Sequence, residues 1–135
     1  MNVMVVEDEP INLKLACVVL KSEGHNVFQA TTAEAALEII RRHKPDVLLL
    51  DLVLPGMDGL ALVRQMKEDP QARNIPVIAV TAHPERWSER DALEAGCDAY
   101  LVKPIDTRTL PKQLIGAKCS KPGPGAATLE DSNED

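Results

Sequence analysis

The chain has 135 residues, 44% of them hydrophobic and 27% charged, which fits one soluble globular domain with a core of ordinary size. A formal net charge of -6 and 2% aromatic residues exclude a phosphate-tracking nucleic-acid surface and a base-stacking platform. No apolar run approaches the roughly 20 residues of a membrane span, and MNVMVVEDEP carries acids where a signal peptide carries Lys or Arg, so the expected location is the cytoplasm, with no membrane partner.

Short apolar, β-branched runs alternate with helical patterns, the signature of βαβ units around a parallel sheet. The predicted strands are residues 3–6, 26–30, 46–51, 75–81 and 99–103. After the first, Ile11, Leu15 and Val18 recur at helical spacing and Gly24 is placed to stop the helix. The second helix opens with Thr31-Thr32-Ala33-Glu34, which reads as a capping box, and carries Ala36, Leu37 and Ile40 on one face. The third follows Asp58-Gly59, with Asp58 as its cap, and packs through Leu62, Val63 and Met66. A fourth is expected over 85–95, with Leu93 and a few alanines as a thin apolar stripe. The fifth is expected from Asp106-Thr107, holding Leu110, Leu114 and Ile115, with Pro111 in its first turn. Residues 117–135 mix Pro, Gly, Ser and acids, and are expected to form a disordered tail after a domain of residues 1–116. Cys17, Cys97 and Cys119 lack ligand-like spacing and are read as free thiols, the first two as small buried groups.

The informative residues close the apolar runs: Glu7 and Asp8 after the first strand, Asp51 after the third, Thr81 after the fourth, Lys103 after the fifth. In an open parallel sheet all these carboxyl ends share one edge, and ligands bind where the strand order reverses. If that order is 2-1-3-4-5, the first and third strands are neighbours and Glu7, Asp8 and Asp51 converge. Two carboxylates at about 4 Å repel by roughly 4 kcal/mol at an effective dielectric of about 20, so a cluster of three calls for a cation. Oxygen-only donors favour magnesium, manganese or calcium over zinc, and magnesium in particular keeps waters and a phosphate beside one or two carboxylates. Lys103 adds a positive charge and Thr81 a donor, which suits an anion next to that cation. No Ser, Cys or His lies at these strand ends, His83 standing in the next loop, so the available nucleophile is a carboxylate.

Taken together and in this spacing, VVEDEP, LLLDLVLPGMDG, VIAVTA and YLVKP resemble the receiver domain of two-component response regulators, over about residues 2–116. The resemblance implies a flavodoxin-like (βα)5 doubly wound five-stranded parallel sheet of order 2-1-3-4-5. It implies a signalling switch in which Asp51 accepts a phosphoryl group from a sensor histidine kinase or a histidine phosphotransfer protein. Such a phosphoacceptor assists its own phosphorylation and dephosphorylation and is not otherwise an enzyme. By the same carry-over, Mg2+ or Mn2+ is held by Asp8, Asp51 and the Val53 carbonyl, and Glu7 orders a water of the ion. Lys103 pairs with the phosphoryl oxygens, Thr81 moves its hydroxyl onto them, Tyr100 swings inward as an aromatic switch, and Lys103-Pro104 is a cis peptide.

In such domains, residues two beyond the phosphoacceptor and two beyond the threonine flank the hydrolytic water. Here they are Val53 and His83, and an apolar Val53 is expected to lengthen the phosphorylated state. With about twenty residues after the fifth helix, output is expected through a protein target on the face of helix 4, strand 5 and helix 5, from a monomer or a phosphorylation-dependent dimer. Trp87 either anchors that contact from an exposed helix 4 or packs inside. The alternatives are an intermediate carrier in a phosphorelay, a receiver fragment of a hybrid histidine kinase, and a flavodoxin-type electron carrier.

Overall fold

The computed structural model describes residues 1–54, 56–104 and 108–120. In chain order the elements are β1 (Asn2–Val6), α1 (Pro10–Ser22), β2 (Asn26–Ala30), α2 (Ala33–His43), β3 (Val47–Asp51), β4 (Val53–Leu54), β5 (Met57–Asp58), α3 (Gly59–Lys67), β6 (Val77–Thr81), α4 (Glu89–Ala95), β7 (Ala99–Val102) and α5 (Leu110–Ser120). The main sheet has the order β2-β1-β3-β6-β7 with every pair parallel, so the expected 2-1-3-4-5 arrangement holds, the fourth and fifth predicted strands being β6 and β7. What the sequence did not signal is the small antiparallel β4–β5 hairpin immediately after Asp51.

Side chains alternate across a strand, so each strand feeds two cores. Met4, Val6, Leu48 and Leu50 face one side of the sheet, where Leu37, Ile40, Leu62 and Met66 of α2 and α3 cover them. Val3, Val5, Val47 and Leu49 face the other, under Leu20 of α1 and Leu114 of α5. Helices on both faces explain why β3 is buried along its whole length and reads as a continuous apolar run.

Local chemistry sets the element ends. Glu9 caps α1 by accepting from Asn12 N–H at 2.9 Å, Pro10 occupies the first turn, and Gly24 follows the helix with φ +87°. Thr32, not Thr31, caps α2 through Ala35 N–H at 3.1 Å. Asp58 caps α3, accepting from Leu60 and Ala61 N–H. Gly59 lies so close to the end of β3 that a Cβ there would stand 2.6 Å from the Leu52 Cα.

Three expectations need correction. Ile11, Leu15 and Val18 do share a face of α1, but it is the exposed one, and Ala16, Cys17 and Leu20 meet the interior. Periodicity says which residues share a face, not which face meets the sheet. Helix α4 begins at Glu89, because the segment before it is held in turns and Ser88 caps the helix through Asp91 N–H; its buried residues are Ala92 and Ala95, while Leu93 is exposed. Helix α5 starts at Leu110 with Pro111 in its first turn, and it continues to Ser120, so residues 117–120 are helical. Residues 105–107 and 121–135, which include the expected helix start at Asp106-Thr107 and the remainder of the expected tail, lie outside the described residues, as do the side chains of Ile115 and Cys119. Cys17 and Cys97 are buried free thiols, and burial pushes the Cys97 thiol up to about 12. Among the described residues, no helix is long and apolar enough to cross a membrane.

Candidate functional site

Strand register gathers the run-closing residues. Val6 pairs with Leu50, Asp51 with Val80, and Thr81 with Val102, so Glu7, Asp51, Thr81 and Lys103 end adjacent strands at one edge. Acids at the opposite edge have a different role: Asp46 accepts from Asn2 N–H at 2.7 Å and Asp98 from Val77 N–H at 2.8 Å. Those two satisfy the first N–H groups of β1 and β6, the ordinary work of a strand-end acid.

The edge acids are arranged otherwise. Lys103 Nζ donates to Glu7 Oε1 at 2.8 Å and to Asp51 Oδ2 at 2.9 Å, and the Lys103–Pro104 peptide is cis. Glu7 and Asp51 are each only 6% exposed, so these charges meet where water screens little. The second Asp51 oxygen, Oδ1, accepts from Val53 N–H at 2.9 Å, which fixes the carboxylate plane and starts the β4–β5 hairpin. Asp8 is exposed, yet one of its carboxylate oxygens and one each from Glu7 and Asp51 lie within 4.8 Å of one another.

One ammonium does not neutralise three carboxylates, and the shortfall falls on Glu7. Burial, and then the neighbouring Asp51, push its carboxyl from 4.5 up to about 7, with Lys103 offsetting only part of the effect. Burial acts to lower the Lys103 pKa, but its hydrogen bonds to Asp51 and Glu7 prevail and raise it. A cluster of oxygen donors short of positive charge fits a hard divalent cation such as Mg2+ or Mn2+. Glu7, Asp8 and Asp51 are the carboxylates that would hold it, beside Val53 in the same turn.

Thr81 is fully buried, and its Oγ1 accepts from His83 N–H at 2.8 Å. His83 is exposed, with Nδ1 at 3.3 Å from Glu85 Oε2. Val53 is 37% exposed. Tyr100 is half-buried on β7 and its hydroxyl donates to the Trp87 carbonyl; burial, and then Glu89, Glu85 and Asp91, raise its pKa. Trp87 is 5% exposed, in the segment before α4, so it packs inside and is not an exposed anchor. The edge therefore unites Glu7, Asp8, Asp51 and Lys103 directly, with Thr81 one strand away and Tyr100 linked through Trp87. Sequence reasoning missed Glu9 as the α1 cap, although Pro10 at the first helical position was a signal for it. It left open whether Trp87 is exposed or packed, and the structure decides for packing; a single aromatic between Arg86 and Ser88 offers no periodic cue.

Comparison with known proteins agrees with this geometry. Residues 3–115 match the response regulator receiver domain family. The chain is 38% identical over 104 residues to the polar-differentiation response regulator DivK of Brucella anthropi, covering 77% of this chain and 85% of that protein. Among solved structures, it superposes on the receiver domain of the sensor histidine kinase PA1611 of Pseudomonas aeruginosa with a TM-score of 0.80 at 29% identity, covering 87% of this chain and 97% of that one. In that structure a magnesium ion is coordinated in the active site cleft. A CheY-like receiver domain protein of Methanospirillum hungatei gives a TM-score of 0.81 at 27% identity, covering 89% and 94% of the two chains.

Proposed function

The chain belongs to the response regulator receiver domain family, and on that premise we propose that it is a phosphorylation-dependent switch with Asp51 as phosphoacceptor. The observation that carries the proposal is the buried Asp51 carboxylate, bonded to Lys103 at 2.9 Å inside a three-carboxylate cluster. A carboxylate oxygen of Asp51 attacks the phosphorus of a phosphohistidine. The P–O bond forms, the P–N bond breaks, and the imidazole leaves with the electron pair. The donor is a sensor histidine kinase or a histidine phosphotransfer protein.

Such transfers pass through a loose transition state, so the protein contributes mainly position and charge. Lys103 offers its ammonium to the phosphoryl oxygens, and Val53 N–H holds the Asp51 carboxylate in line. When bound at Glu7, Asp8, Asp51 and the Val53 carbonyl, a divalent ion supplies positive charge to those same oxygens. The new dianion rewards a Thr81 hydroxyl that leaves His83 N–H for the phosphoryl group. Reversing a 1:99 population takes about 5.5 kcal/mol. A few charge-assisted hydrogen bonds at roughly 1.5 to 3 kcal/mol each approach that.

Output then runs through protein contacts on the face of α4, β7 and α5 in the cytoplasm, from a monomer or a phosphorylation-dependent dimer. This choice is supported by the position of Tyr100 on β7 and of its partner Trp87 just before α4. A second reading, favoured by the likeness to a receiver within a sensor histidine kinase, is that the phosphoryl group passes onward in a relay. The electron-carrier alternative lacks its phosphate-cradling loop, since Glu7-Asp8-Glu9-Pro10 follows β1. Incubation with acetyl phosphate and magnesium, with mapping of the acyl phosphate and Asp51→Asn as control, tests the proposal. Modification at Asp51 is expected, and an unmodified Asp51 overturns it.

A further inference from the structure

Helix α1 turns an apolar stripe to solvent. Ile11 is 75% exposed, Leu15 52% and Val18 56%, and among the described residues no other helix shows more than one large apolar side chain in this state. Spaced at i, i+4 and i+7, the three form one continuous strip. Lys14 and Lys21, both exposed, lie seven positions apart along its flank, while Asp8 and Glu9 stand at its amino end. Contiguous exposed apolar surface with a polar rim marks an interaction site, where scattered single residues would not.

The path of the chain supplies an occupant. Helix α5 packs on the same side of the sheet as α1, placing Leu110, Leu114 and Ala117 in one core with Ala16 and Leu20. Leu110 also lines the cleft that holds Asp51, together with Leu15 and Ala16, so α5 sets out from the site edge. It runs to Ser120, toward the opposite edge, where α1 ends and β2 pairs with the start of β1. Residues 121–135 read KPGPGAATLEDSNED. Pro122-Gly123-Pro124-Gly125 favours reversal of the chain over continuation of a helix. Ala126, Ala127 and Leu129 come next, and then Glu130, Asp131, Glu134 and Asp135, four acids against the single Lys121. From Ser120 to Leu129 the chain reaches about 30 Å when extended, and the whole of α1 is only roughly 20 Å long.

We infer that residues 126–135 dock on the outer face of α1 of their own chain, with Leu129 seated on Leu15 and Val18 and the acids that follow paired with Lys14 and Lys21. Charge sets the placement, because Asp8 and Glu9 repel those acids from the amino end of the stripe and the two lysines attract them. A second copy of the chain fits less well: in a two-fold antiparallel pair of α1 helices equivalent flanks meet, and Lys14 and Lys21 would face their own counterparts. Exposed ion pairs are weak and screened by salt, so the docked segment is held chiefly by the stripe and loosens at high ionic strength. Since α1 forms one wall of the cleft that holds Asp51, the segment masks the surface adjoining the site.

Methyl-labelled full-length protein tests this without any phosphodonor, so the result is independent of the assignment of Asp51. Cross-relaxation between the methyl groups of Leu129 and those of Leu15 or Val18 is expected at low salt. A gadolinium chelate in solution should relax the Leu15 and Val18 methyls severalfold less than those of Leu93, an exposed leucine on α4. The triple variant Leu129→Ser, Glu130→Lys, Asp131→Lys should lose the cross-relaxation and raise relaxation at Leu15 and Val18 severalfold, to the level of Leu93. Lys14→Glu with Lys21→Glu should act in the same way, and adding Glu130→Lys with Asp131→Lys to that pair should restore protection. Wild-type protein without the cross-relaxation, or with Leu15 and Val18 relaxed as strongly as Leu93, overturns the inference. Protection that grows with protein concentration also overturns it, in favour of a second copy. The triple variant leaves residues 1–120 untouched, so it decides the question even if the α1 variants do not fold.

Discussion

Lys103 Nζ reaches across the sheet edge to Asp51 Oδ2 at 2.9 Å, joining residues 52 positions apart in the chain. The same ammonium bonds Glu7 at 2.8 Å, so one side chain compensates carboxylates from two other strands.

Removal of that ammonium leaves buried negative charges facing one another. Lys103→Met is expected to destabilise the metal-free protein by about 3 kcal/mol, the lower end of the cost of orphaning a buried ion pair. Millimolar magnesium should recover part of the loss by supplying charge to the same oxygens. Urea unfolding with and without the cation checks both statements, and a variant as stable as the wild type in chelator would contradict them.

Glu7 should leave a signature in pH. A carboxyl raised from 4.5 to about 7 binds its proton more tightly in the folded chain than in the unfolded one. Its contribution to stability is therefore fully present below about 4.5 and is lost as pH rises through about 7. In chelator, the stability difference between wild type and the permanently neutral Glu7→Gln should move against the wild type across that window. Unfolding midpoints that run parallel for the two proteins would refute this. A divalent cation favours ionised Glu7, so its affinity should rise over the same pH range.

Gly59 joins the site to α3 by close approach. A Cβ there would meet the Leu52 Cα at 2.6 Å, and backbone cannot rotate away as a side chain can. Gly59→Ala is expected to cost about 1 to 3 kcal/mol through overpacking, and to slow phosphorylation by displacing the hairpin that orients Asp51. Paired unfolding curves and phosphorylation rates test this, and a neutral outcome in both would show that the helix can slide.

Val53 bears on the lifetime of the acyl phosphate. The residue is 37% exposed two positions from Asp51, and its apolar side chain offers a hydrolytic water no hydrogen-bonding group. Val53→Asn is therefore expected to shorten the phosphorylated state severalfold, well below the roughly hundredfold or more of a positioned general base, because an amide orients the water without taking its proton. A phosphate-release time course measures it, and equal half-lives would refute the role.

Much of this was legible along the chain because it depends on neighbours in sequence. Alternation of apolar runs with helical periods marked the five main strands, Asp58-Gly59 and Gly24 marked helix ends, and the acids, Thr81 and Lys103 stood where those runs stopped. The family resemblance then pointed to the roles of Glu7, Asp8 and Asp51, and the sheet register brings them to one edge.

Tertiary structure decided what periodicity cannot express. The outward face of α1, with Ile11, Leu15 and Val18, depends on how closely Ala16 and Cys17 approach the sheet. The burial of Trp87 depends on the hairpin beside it, and the difference between Asp51 and the strand-end acids Asp46 and Asp98 depends on which edge each reaches. Residue type and local pattern specify what a group can do. The field in which it does so, here one lysine among three carboxylates in a poorly screened edge, arises only when distant strands are paired.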